Sequence, residues 1–166
     1  MPKITLPDGT IKEIKNKTNV YEIAQLISDG LANSALAGKV NGVLLDTSIT
    51  IDYDAEVTII TSKHPEALDI IRHSFAHLVG HAVKQLYPEA KMAIGPVIED
   101  GFYYDISYKK PFTAEDINSI EKRVQSLVNT NYDITIKHAD KSEAKRIFTE
   151  REETYKLKII NEIPEN

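Results

Sequence analysis

His73, His77 and His81 recur every four residues inside a stretch bounded by Pro65 and Pro88. On an α-helix each step of four advances a side chain by about 40°, so the three imidazoles form one ridge. Pro65 is a favoured first helical residue and Pro88 a stop, which predicts one long helix between them. Its apolar residues Leu68, Ile71, Phe75, Leu78, Ala82 and Leu86 recur at steps of three and four and are expected to face the core. The histidine ridge lies roughly 140° from the centre of that stripe. Ser74, Ala76 and Gly80 flank it and are small enough to leave room for a ligand. Imidazoles on one ridge can share a metal, a proton or a reacting ester. The spacing alone leaves open a solvated polar face, or rings satisfied by backbone carbonyls, because two ligands do not define a metal site.

The 166 residues allow one medium domain or two small ones. A hydrophobic content of 42% with 27% charged residues is that of a globular chain. The absence of cysteine excludes disulfides, thiolate catalysis and cysteine-ligated zinc within these residues. No apolar run is long enough to span a bilayer and no signal peptide opens the chain, so no membrane partner and a cytoplasmic location are expected. A net charge of −5 argues against generic nucleic-acid binding. Any such contact must be local, with Lys84 and Lys91, or Arg146, Arg151, Lys156 and Lys158, as its basic candidates.

Residues 1–62 read as a β-rich module. Ile4 and Leu6 alternate before the turn Pro7-Asp8-Gly9, and a weaker strand surrounds Ile11 and Ile14. Asn19 and Glu22 form a capping pair for a helix expected to bury Val20, Ile23, Ala24 and Ile27, with Gly30 ending it. Strands at Lys39–Val40 and Val43–Leu45 flank the hairpin turn Asn41-Gly42, and Val57–Ile60 closes the module. This order fits a ubiquitin-like β-grasp. Residues 64–166 read as α+β: the histidine helix, a hairpin of Val97–Ile98 and Phe102–Ile106 around Glu99-Asp100-Gly101, and a helix capped by Thr113 and Asp116. A strand with Tyr132, Ile134 and Ile136 follows, then a helix capped by Asp140 and Glu143, and a last strand at Tyr155–Ile160 before the end at Asn166.

Five features in this order carry a resemblance: Ile4-Thr5-Leu6-Pro7-Asp8-Gly9, Arg72-His73-Ser74 with His77, Ile94-Gly95-Pro96-Val97-Ile98, Gly101-Phe102-Tyr103-Tyr104-Asp105, and Tyr155-Lys156. Over essentially its whole length the chain resembles the N-terminal region of bacterial-type threonyl-tRNA synthetases. Residues 1–62 are similar to that family's TGS domain, and residues 64–166 to the N-terminal part of its editing domain.

The resemblance implies hydrolytic editing of seryl-tRNA(Thr). Serine lacks one methyl of threonine, worth only about 1–3 kcal/mol of discrimination, so a second, hydrolytic site is needed. It implies His73, His77 and Lys156 as catalytic residues, Tyr104 and Gly95 as substrate-binding residues, and His81 as peripheral. The partners it implies are the 3′ end of tRNA(Thr) carrying serine and the rest of the synthetase chain, with the full-length protein a homodimer. ATP, magnesium and zinc sites belong to the family's aminoacylation domain, which these residues lack together with a cysteine-and-histidine motif that completes the editing cleft. No metal or cofactor is therefore expected here. Taken by themselves, Tyr104 also reads as a packed hairpin aromatic and Lys156 as a solvated lysine. Two other functions fit the same sequence: a free-standing trans-editing hydrolase, and a TGS-containing RNA-interaction module with inert histidines.

Overall fold

In a computed structural model, which describes residues 1–15 and 17–164, the chain divides into two compact units, Met1–Ile70 and Ile71–Asn166. Glu165 and Asn166, the end of the expected second domain, lie outside the described residues.

The first unit is a β-grasp. Strands β1 (Lys3–Thr5) and β2 (Ile11–Glu13) form a hairpin closed by Gly9 at a φ of 81°. β3 (Thr18–Asn19) leads into α1 (Val20–Ile27) and α2 (Asp29–Ser34), then β4 (Ala37–Val40), β5 (Val43–Leu45), β6 (Thr50–Ile51) and β7 (Ala55–Ile60). The main sheet runs β2-β1-β7-β4-β5, and only its central β1–β7 pair is parallel. Asn41 and Gly42 both take positive φ, 47° and 83°, the backbone that lets a two-residue turn follow the twist of its strands. Asn19 caps α1 reciprocally with Glu22, as the residue types require. Gly30, however, does not end α1. Ser28 does, in extended backbone, and its hydroxyl caps α2, which contains Gly30. Val20, Ile23 and Ala24 pack on Ile4, Ile14, Ile51 and Val57, while Ile27 lies outside that core. Each fully buried Ile or Val contributes roughly 1.5–3 kcal/mol.

The long helix, α3 (Ala67–Leu86), starts two residues beyond Pro65, and the division between the units falls in its first turn. The second unit continues with β8 (Lys91–Met92), β9 (Val97–Ile98), β10 (Gly101–Phe102), β11 (Ile106–Ser107), α4 (Ala114–Thr130), α5 (Lys141–Glu150) and α6 (Thr154–Glu162). β9 pairs with β10 and β8 with β11, so the expected hairpin ends at Phe102 and the chain then turns to a different partner. Ala82, Val83, Met92, Ile120, Val124 and Leu127 form the core, bordered by the aromatic cluster Tyr87, Tyr108 and Phe112.

Three sequence expectations fail here. Of the apolar stripe on α3, only Ala82 is buried and Leu78 half-buried; Leu68, Ile71, Phe75 and Leu86 are exposed. The packing layers cover the face that carries Ala76, Val79, Ala82 and Val83 instead. Tyr132, Ile134 and Ile136 are unpaired, with Ile134 85% exposed. Alternation makes a strand only when a neighbouring backbone takes up its N–H and C=O groups, and no strand among the described residues does so. Tyr155–Ile160 is helical, because Glu153, Leu157 and Ile160 fall on one helical face and α6 buries Ile160.

Candidate functional site

On α3 the Nε2 atoms of His73 and His77 lie 3.0 Å apart, with ring centroids at 4.7 Å and planes at 76°. Such a contact needs one N–H and one lone pair, so the pair holds one proton between the two nitrogens and resists a second. Burial lowers the pKa of His77 below the usual imidazole value, and the nearby charges of His73 and Lys156 lower it further. His77 is thus held as a neutral base at pH 7. The same helix anchors the β9–β10 hairpin: the Arg72 guanidinium donates to the carbonyls of Ile98 (3.2 Å) and Glu99 (2.8 Å). Phe75 meets Phe102 edge-on at 6.1 Å.

Beside His77 lies a cavity of about 470 Å³, lined by His77, Gly80, His81, Lys84, Met92, Tyr104, Phe148, Arg151, Glu153 and Lys156. Lys156 enters from α6, its ammonium donating to the Ala93 carbonyl at 2.9 Å. A strand would have alternated its neighbours across two faces. The helix instead puts Lys156 one turn beyond Glu153, so both reach the cavity.

Tyr104 enters from the segment after β10, and burial, then the Glu153 charge, raises its phenol pKa. It therefore remains a protonated donor. Two glycines make room for its ring. A Cβ on Gly95 would lie 2.8 Å from the ring Cδ2, and one on Gly80 would lie 3.2 Å from Cε2.

His77, Tyr104 and Lys156 thus meet at one cavity, with His73 joined through His77 and Gly95 set against the Tyr104 ring. His81, read as peripheral, lines the cavity as well. Its tautomer follows from its neighbours. Arg123 Nε donates to Gln85 Oε1 at 2.6 Å, so Gln85 Nε2 donates to His81 Nε2 at 2.8 Å. The His81 proton then sits on Nδ1 and points to the Tyr132 oxygen at 3.2 Å. Sequence reasoning noted Lys84 and Arg151 only as basic residues and passed over Phe148 and Glu153. Lys84 was recoverable as a site residue, being seven residues beyond His77 on the same helical face. Glu153 was not, because the segment that follows it was read as a strand.

No group of three or more histidine or carboxylate side chains is placed to hold a metal among the described residues. The donor set at the cavity suits proton transfer instead: a neutral imidazole backed by a second, an ammonium and a phenol. Together they can orient a water, accept its proton and donate to a developing oxyanion.

A TGS domain profile matches residues 2–61. Across 165 residues, 99% of its length, the chain is 59% identical to threonine–tRNA ligases of Prochlorococcus marinus strains MIT 9211 and AS9601, and 58% identical to that of strain MIT 9301. It spans 26% of the length of these relatives. By fold and by sequence, the chain opens with a TGS domain and is a relative of the N-terminal quarter of threonine–tRNA ligase.

Proposed function

We propose that the chain is the N-terminal region of a threonine–tRNA ligase, with a TGS domain at residues 1–62 and part of an editing domain at 64–166, and that the cavity beside His77 hydrolyses serine from mischarged tRNA(Thr). The carrying observation is His77, backed by His73, sharing a cavity of about 470 Å³ with Lys156.

Water held by His77 attacks the ester carbonyl carbon and His77 takes its proton. A C–O bond forms to the water oxygen, and the bond to the terminal ribose oxygen breaks. That oxygen leaves with a proton returned by the imidazole pair, giving free serine and a tRNA hydroxyl. Lys156 and the Tyr104 phenol donate to the oxyanion that forms in between. The reaction needs no metal or cofactor from these residues. The partners are the 3′ end of serine-charged tRNA(Thr), the remainder of the ligase and, in the full-length protein, a second copy; the setting is the cytoplasm.

The test uses full-length protein with His73 and His77 replaced by alanine. Removing groups that transfer protons commonly costs about 10²–10⁴ in rate. Deacylation of preformed seryl-tRNA(Thr) should fall by at least that lower factor, while threonine charging stays within about twofold of wild type. Unchanged deacylation would refute the assignment.

A further inference from the structure

The cavity is lined by an ion pair, half-buried at Lys84 and buried at Glu153, that the hydrolytic reaction does not use. Lys84 Nζ lies 2.8 Å from Glu153 Oε1 and also donates to the carbonyls of Pro88 (2.8 Å) and Ala90 (3.0 Å). Two of its ammonium protons go to these carbonyls, and its charge is matched by the Glu153 carboxylate, so this lysine is committed to the protein rather than to a ligand. Glu153 is only 7% exposed, and its Oε2 is buried with no hydrogen-bond partner among the described residues.

As a stabilising device this is a poor arrangement. Desolvating two charges commonly offsets their attraction, and an unpartnered carboxylate oxygen adds a further penalty. Its placement gives it another use. Glu153 occupies the N-cap position of α6 but makes no capping bond; its side chain turns to α3 instead. The chain reaches it through Glu152, held at a left-handed φ of 54°, and its own N–H donates to the Phe148 carbonyl at 2.9 Å. The start of α6 is thus tied at one point to α5 and at another to α3. Lys156 follows one helical turn later and reaches Ala93.

We infer that Lys84 and Glu153 are positioning residues that fix the start of α6 against α3 and so hold the Lys156 ammonium at its place in the cavity. A salt bridge between two helices sets their register directionally, which an apolar contact of equal area does not. The kinetic arm of this inference rests on the proposed deacylation; the structural arm does not.

The experiment compares wild type, Glu153→Gln and the apolar double variant Lys84→Met/Glu153→Leu in the full-length protein. Three quantities are read: the melting temperature, the acetylation rate of Lys156 by acetic anhydride followed by peptide mass spectrometry, and kcat and KM for seryl-tRNA(Thr) hydrolysis. The double variant should melt no lower than wild type, acetylate at Lys156 at least about threefold faster, and lose kcat about tenfold with KM nearly unchanged. Glu153→Gln keeps the shape and one acceptor, so it should fall between the two. It also serves alone if the double variant does not fold. An unchanged Lys156 acetylation rate in a folded variant overturns the inference, whatever the activity. A wild-type protein without deacylation sinks the functional proposal and leaves the acetylation comparison standing.

Discussion

Gly95→Ala adds a single methyl group to a position where the backbone tolerates it and the space does not. The new Cβ would lie 2.8, 2.9 and 3.1 Å from Cδ2, Cε2 and Cγ of Tyr104. Ordinary carbon–carbon contact begins at about 3.5 Å, so the ring must retreat by roughly 0.7 Å. All three near atoms belong to one rigid ring, and rotation of a flexible side-chain end cannot relieve the overlap. Overpacking of this kind costs about 1–3 kcal/mol. Gly80→Ala is the internal control. Its nearest contact is 3.2 Å, a shortfall of roughly 0.3 Å. Alanine also gains about 0.8–1.0 kcal/mol over glycine inside a helix, so the net effect should be near zero. Urea unfolding of both single variants, followed by near-ultraviolet circular dichroism, reads the difference. The same pair measured in a Tyr104→Ala background closes a double-mutant cycle, in which the cost of Gly95→Ala should disappear. A Gly95→Ala penalty that survives removal of the ring, or no penalty with the ring present, refutes the steric account.

Three further outcomes concern protonation. His77 has a folded pKa below its ordinary value, with burial the first cause, so the unfolded chain binds more protons just below pH 6.5. Its contribution to stability is therefore full above that pH and is lost as pH falls through the folded pKa; His77→Asn should flatten the acid limb of a stability–pH curve, and a curve unchanged by the substitution counts against the assignment. Proton-observed titration should also show the His77 pKa rising in Lys156→Met, since one nearby cation is removed. Asp116 is lowered to about 2, first by the Thr113 N–H and next by the Tyr87 phenol, which donates at 2.8 Å. Its stabilisation is present above the ordinary carboxylate range and is lost as pH falls toward about 2. Tyr87→Phe should move the Asp116 titration upward in a carboxyl carbon spectrum, and no movement would deny the phenol its role.

Where a few neighbouring residues decide the backbone, the sequence alone was sufficient. Asn19 with Glu22 and Thr113 with Asp116 build their capping boxes from atoms three residues apart, and Asn41-Gly42 needs only its own two φ angles. The histidine ridge is of the same kind, because a step of four on any helix brings His73 and His77 together. Pairing and burial are set by distant chain. The alternation of Tyr132, Ile134 and Ile136 carries no sign of whether a partner strand exists, and the exposed stripe on α3 depends on which layers cover that helix. The six residues Tyr155–Ile160 satisfy both periods, and only packing Ile160 into the second unit chose the helix. That choice brought Glu153 and Lys156 round to one face and into the cavity, so the chemistry opposite the histidines was decided by tertiary structure, which alone supplies the low-dielectric surroundings that favour one period over the other.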